Sequence, residues 1–284
     1  MRLNPFDTNK IKVGTTGGGR GAKAGGVGCI GVVIAIAGAV FFGVDPTQTL
    51  GIIEGVQGPQ TTQAPASEDE AAICSSNRYA NETCAALTSL NETWARTFAE
   101  QGVQFREPTL RFVTSQRFNT ACGAASTGMG PFYCPANETI YIDVGFYDQL
   151  AQMAGDRGDF ARLYVVAHEY GHHIQTITGI SGQIRSIQQQ NPRAANQLQV
   201  RMELQADCYA GVWAGKNRDR LDPDDVQEGM RAASSIGDDT LQRRAGRRVN
   251  PEQFTHGTSR ERQQALQLGL RGNDIACDRI TQIQ

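Results

Sequence analysis

Leu87, Leu90, Trp94 and Phe98 recur every three or four residues in a stretch that opens on SEDEAA and runs to about Gly102. That spacing predicts a helix with one apolar face, and the acids at its start suit a helix N-terminus. The period changes at EPTLRFVTS and again at ETIYIDV, where alternation and β-branched residues predict two strands. Between them, the Gly- and Cys-rich CGAASTGMGPFYCP reads as a loop. From Gly145 onwards helices dominate: GFYDQLAQMAG, DFARLYVVAHEYGHHIQTITG, PRAANQLQVRMELQADCYAGVWAGKN, DPDDVQEGMRAASS and a last one around SRERQQALQLGL. Pro192 near a start, and Gly179 and Gly215 near ends, stand where helix punctuation belongs. The fold class this predicts is α+β and predominantly helical, a small strand region followed by a helical bundle, over residues 67–284.

The first part of the chain follows different rules. VGTTGGGRGAKAGGVG is too rich in glycine for a regular helix or strand and is expected to be flexible. An uncharged apolar run from Val27 to Val44 then has about the length a helix needs to cross a bilayer. Arg2, Lys10, Lys12, Arg20 and Lys23 precede it against Asp7 alone, while Asp45 and Glu54 follow. The excess of basic residues orients the N-terminus to the cytoplasm and the remainder outside. A cleaved signal peptide is the competing reading, but the leader is long and no small-x-small site follows the run. The expected organisation is thus a basic leader (1–26), a single transmembrane helix (27–44), a Pro/Gly/Gln/Thr-rich linker (45–66) and an extracytoplasmic domain (67–284).

Composition narrows the function classes. A hydrophobic content of 39% is enough for a sizeable core, and a net charge of -2 offers no basic field for nucleic acid. Cys29 lies in the apolar run and the other six cysteines lie beyond it. In an oxidising compartment an even number favours disulfides, with sequence neighbours (Cys74 with Cys84, Cys122 with Cys134, Cys208 with Cys277) as one of several possible pairings. Buried free thiols are the alternative. No CxxC pair points to a thiolate metal site.

The chemistry concentrates in VVAHEYGHHIQT. On a helix His168 and His172 stand one turn apart on one face, with Glu169 to the side where a metal-bound water would sit. Leu163, Val166, Tyr170, Ile174 and Ile177 cluster roughly opposite, so one face packs while the other can bind a cation. A catalytic zinc takes three protein ligands, and RMELQADCYAG offers Glu203 as the third. Asp207, one turn on, can accept the second N–H of a ligand histidine and fix its tautomer. Their setting among Leu204, Ala206, Cys208 and Trp213 makes unpaired charge costly. His256, in FTHGTSRER, is either a donor to the oxyanion of a tetrahedral intermediate or a capping residue before a helix.

Taken together, AHEYGHHIQ, ELQADCYAG, GMGPFYCPA followed by IYID, and the late THGTS resemble the neutral zinc metallopeptidase family, membrane-anchored bacterial proteins with a zincin-like domain. The resemblance spans the chain from about residue 70 and extends to the leader architecture. It implies Zn²⁺ held by His168, His172 and Glu203, with Asp207 behind them, as in gluzincin-like peptidases. The metzincin pattern fails, because position 175 is Gln and position 178 is Thr.

The activity implied is hydrolysis of a peptide or protein substrate, with Glu169 as general base and zinc polarising the scissile carbonyl. If ETIYIDV is an edge strand, Ile140 and Tyr141 would align an extended substrate beside the metal. Two rivals stand beside this reading. One is a membrane-anchored binding protein with structural zinc, closed by His256 or His173 as fourth ligand. The other is a zinc amidase acting on cell-wall amides.

Overall fold

The computed structural model describes residues 1–16, 69–155 and 158–282. A pair of helix-breaking residues, Ser76 and Asn77, divides the first predicted helix in two. Helix α1 (Glu70–Ser75) starts on Asp69, whose carboxylate accepts from the amides of Ala71 and Ala72. Helix α2 (Arg78–Glu100) starts on Asn77, whose side-chain oxygen accepts from the Ala80 amide. Short polar side chains of this kind satisfy the free N–H groups of a helix start better than they continue a helix. The Cys74–Cys84 disulfide closes over the break.

Six short strands follow two patterns. A four-stranded sheet runs β1 (Lys12–Thr16), β2 (Thr109–Val113), β6 (Thr139–Ile142), β5 (Phe132–Cys134), with the first three parallel and β5 antiparallel to β6. Register puts Val13, Leu110, Ile140 and Tyr133 in one row across it, and all four are buried in the main core. On the opposite face Phe132 and Tyr141 stack with Phe118 of a separate hairpin, β3 (Arg117–Thr120) and β4 (Gly123–Ser126). The stretch read as a loop therefore carries β4 and β5. Aromatic burial and the Cys122–Cys134 disulfide give order to a segment whose glycines hide it from a local reading.

Two expectations change here. ETIYIDV is an interior strand, paired on both sides, so its backbone is not free for a substrate. The glycine-rich leader is not wholly irregular either, because Val13 to Thr16 lie in β1, and Met1, Ile11 and Val13 are buried in the main core. Side chains of β1 with buried apolar positions and a parallel partner outweigh the low strand propensity of one glycine. The anchor expected at 27–44 and the linker at 45–66 lie outside the described residues. Among the described residues no helix is long and apolar enough to cross a membrane.

The predicted helical bundle is present as α3 (Phe146–Ala154), α4 (Asp159–Ile177), α5 (Ile180–Gln190), α6 (Ala195–Lys216), α7 (Asp225–Ser235), α8 (Asp238–Arg244), α9 (Ser259–Gly269) and α10 (Asp274–Thr281). Helix α6 is its axis, packing on α4, α9 and α10, and the Cys208–Cys277 disulfide fastens it to α10. All three expected cysteine pairs are thus formed. Leu87, Leu90, Trp94 and Phe98 of α2 face the core, as their spacing predicts.

Candidate metal centre

Two glycines decide how closely the helices that carry the site approach. A Cβ on Gly171 would fall 2.8 Å from the backbone of Ala206, so α4 and α6 cross with no side chain between them. A Cβ on Gly211 would lie 2.2 Å from the Leu266 carbonyl oxygen, which draws α9 equally close to α6. The first contact sets the HEYGHH face of α4 beside Glu203. The second carries Arg262 to Asp207.

At the α4–α6 crossing, His168 Nε2 lies 3.2 Å from one Glu203 carboxylate oxygen and His172 Nε2 lies 3.6 Å from the other. In a tetrahedral centre with bonds of about 2.0–2.1 Å, donor atoms stand roughly 3.3–3.4 Å apart, so the two imidazoles and the carboxylate have the spacing and chemistry zinc requires. Among the described residues, these three side chains have donor atoms within 4.8 Å of one another, and no fourth His, Cys, Asp or Glu joins them.

Both candidate ligand histidines have an orienting partner. His168 Nδ1 is 2.8 Å from Asp207 Oδ1, which also accepts from the Tyr164 hydroxyl. Arg262 grips the same carboxylate with two bonds, Nε to Oδ2 at 2.8 Å and Nη2 to Oδ1 at 2.9 Å. Burial alone would raise the Asp207 pKa, yet Arg262 and His168 hold it down to about 2. His172 Nδ1 donates to Gln175 Oε1 at 2.8 Å, which leaves Nε2 unprotonated toward Glu203. The Gln175 amide in turn donates to the Met202 carbonyl and to Gln205. Burial also opposes charge on His168, but Asp207 and Glu203 outweigh it and raise its pKa to about 10. The same negative field favours a cation between the histidines.

A cleft opens from this point, bounded by β5, α5 and the N-terminal half of α6. Glu169 reaches it as a buried carboxylate whose pKa is raised, chiefly by that burial. His256 lines it too. Its loop folds around Asp238, whose Oδ2 accepts from the amides of Thr255, His256 and Gly257 and whose Oδ1 lies 3.1 Å from His256 Nδ1. Burial lowers the His256 pKa and the bond to Asp238 raises it; the net shift is upward, so the imidazole tends to keep its proton.

Comparison with known proteins decides the lineage. The family described as "Putative neutral zinc metallopeptidase" matches residues 6–280. The chain belongs to this family. It is 39% identical to the uncharacterized protein YpfJ of Escherichia coli (strain K12) over 280 residues, 96% of this chain and 93% of that protein. It is 40% identical to the uncharacterized protein Rv2575 of Mycobacterium tuberculosis (strain ATCC 25618 / H37Rv) over 188 residues, 61% of this chain and 62% of that one. No solved structure matches. The family name implies a zinc cofactor, which fits the donor set at His168, His172 and Glu203.

Of the residues singled out in the sequence, His168, Glu169, His172, Glu203, Asp207 and His256 come together at this family centre. Three lie elsewhere, His173 as its position about 100° around the helix from His172 implies. His173, offered as a fourth ligand of a closed site, points the other way: it is fully buried, bonded to Tyr133 through Nδ1 and to the Arg106 carbonyl through Nε2. Ile140 is in the core, and Tyr141 stacks on Phe132 and packs tilted against Phe118 on the sheet face away from that core. The sheet edge at the cleft is instead β5, whose Phe132 and Tyr133 line it. Sequence reasoning also missed Arg262, Asp238 and Gln175. The only trace of Gln175 was its departure from the metzincin glycine, a position where it proves to be the partner of His172.

Proposed function

We propose that the chain is an endopeptidase that hydrolyses peptide bonds with a metal-activated water and Glu169 as general base. The observation that carries this is the unclosed three-donor set beside two further groups, the buried Glu169 and the partly buried His256, all on one cleft. A structural site would complete four protein ligands, and a catalytic one keeps a position for water or substrate. Zinc held by His168, His172 and Glu203 supplies Lewis acidity toward water and the scissile carbonyl.

The chain's own residues do the rest. Glu169 takes the proton of the attacking water and delivers it to the leaving amine, a task suited to a carboxylate whose pKa burial has raised. His256, its Nδ1 turned to Asp238, presents the other ring nitrogen to the cleft and donates to the oxyanion of the tetrahedral intermediate. Asp207 and Gln175 keep the two ligand imidazoles in the tautomers that leave Nε2 free. An extended substrate pairs with the open edge of β5, whose partner β6 occupies only its other side.

The test is the full chain beside its Glu169→Gln variant. Both should hold about one zinc per chain, and peptide hydrolysis should fall about 10²–10⁴-fold in the variant. Zinc in both with no hydrolysis of any peptide in a broad panel contradicts the proposal.

A further inference from the structure

One cation on the cleft has a buried donor atom with no acceptor among the described residues. Helix α5 forms the wall facing the metal ligands, held there by Ile184, which packs with Leu198 and Met202 of α6 in a small cluster of its own. The residue after Ile184 is Arg185, and it lines the same cleft as His168, Glu169, His172 and Glu203. Its Nε is buried and makes no hydrogen bond. A buried guanidinium N–H without an acceptor is costly, and native structures leave few such groups unexplained.

The carboxylates nearest the chemistry are already engaged. Glu203 faces both ligand histidines and accepts from Gln199, and Glu169 stands beside the metal ligands as the proposed base. Asp207 is occupied by Arg262. The other polar residues near Arg185 on this wall, Ser181, Gln188 and Gln199, are neutral. Among the described residues of this wall no acidic group is left over for Arg185, which leaves its buried Nε open to an acceptor that arrives with a substrate. A planar guanidinium matches a carboxylate best, since two parallel N–H···O bonds form at once.

We propose that Arg185 is a specificity-determining residue that binds a carboxylate of the peptide substrate near the scissile bond. This rests on the peptidase reading of the same cleft. The carboxylate is either an Asp or Glu side chain or the C-terminal carboxylate of a short peptide, and the chemistry of recognition is the same for both. The apolar lining beside it, Phe132, Ile184 and Met202, receives the neighbouring side chain.

The experiment uses the zinc-loaded full chain carrying Glu169→Gln, so that peptides bind without being cut. Fluorescent peptides of one apolar sequence are compared in three forms: one with a Glu and an amidated C-terminus, one neutral with a free C-terminus, and one neutral and amidated. Affinity should favour at least one acidic form over the neutral amide by about 10–100-fold, the range of a charge-assisted pair. That ratio should collapse toward one in E169Q/R185Q and recover in part in E169Q/R185K. Which acidic form gains identifies the source of the carboxylate. No preference for either acidic form, or a preference that survives Arg185→Gln, overturns the proposal. If acidic peptides bind through Arg185 but the wild-type chain cleaves none of them, the recognition stands and the peptidase reading fails. If the wild-type chain cleaves acidic and neutral peptides alike, the peptidase reading stands and the Arg185 proposal fails.

Discussion

Helix α4 carries two clusters that could hold a metal by proximity alone, and they differ in what surrounds them. Midway along it, His168 and His172 meet Glu203. At its start, Asp159 meets Asp225 and Glu228, again with donor atoms within 4.8 Å. The acidic cluster already has its cations and donors: the Met1 ammonium lies 2.9 Å from Asp225 and 3.1 Å from Asp159, and Glu228 accepts from the Phe160 amide. In the histidine cluster Asp207 and Gln175 hold the outward nitrogens of His168 and His172, and Gln199 donates to Glu203, which together aim the inward nitrogens at that carboxylate. Proximity of acids therefore does not make a metal centre. What makes one is a set of donors whose other atoms are held, so that the converging lone pairs have nothing else to bind.

The sharpest way to break this comparison is to remove one carboxylate from each cluster. Glu203→Ala should lose bound zinc on dialysis, whereas Asp225→Ala should keep about one per chain. Metal analysis of both variants decides, and loss of zinc from the Asp225 variant would merge two regions that we separate. The acidic end should matter for stability instead. Deleting residues 1–16 removes β1 together with the buried Met1, Ile11 and Val13 side chains. At about 1.5–3 kcal/mol for each buried apolar side chain, stability should fall on the order of 5 kcal/mol. Denaturant unfolding measures it, and an unchanged midpoint would show that β1 is not part of the folded domain.

His173 sharpens the contrast between two adjacent histidines, His172 a candidate ligand on the cleft and His173 buried away from it. Burial holds its pKa down to about 4, against the weaker upward pull of the Arg106 carbonyl. The folded state therefore binds fewer protons at this site than the unfolded chain between about pH 6.5 and 4. Stability from this group is complete above that window and is lost as pH falls through it, by up to about 3 kcal/mol. Unfolding at pH 8 and pH 5 in wild type and His173→Gln isolates the term. Equal pH dependence in the two would place the acid sensitivity elsewhere. The smallest expected effect is at Gln175, where substitution by Ala should lower zinc affinity about 10–100-fold, as loss of an orienting partner does. Competition with a chelator reads it directly, and unchanged affinity would mean that His172 needs no such partner.

What could be read from the sequence was whatever recurs within one helix. His168 and His172 share a face because they are one turn apart, and so do Glu203 and Asp207; the third ligand followed from the need for one. The disulfides matched because each joins cysteines that neighbour one another along the sequence. What could not be read depends on how helices cross. Arg262 reaches Asp207 only because Gly211 and Gly269 let α9 lie against α6, and a buried arginine in SRERQQALQLGL looks like any surface cation in a one-dimensional pattern. Asp238 stands beside Asp239 at the start of a short helix, where acids are ordinary, and its role appears only when the 255–257 loop folds over it. The strand order was equally hidden. ETIYIDV has the alternation of a half-exposed strand, yet the hairpin covers its second face and β5 its free edge.

Crystals of the full chain grown with zinc, examined by anomalous diffraction at the zinc edge, test the central claim most directly. The account predicts one peak, bounded by His168 Nε2, His172 Nε2 and the Glu203 carboxylate at about 2.0–2.2 Å from each, with no fourth protein ligand. A peak in the Asp159, Asp225 and Glu228 cluster alone, or a site at the histidines closed by a fourth side chain such as His256, would contradict it.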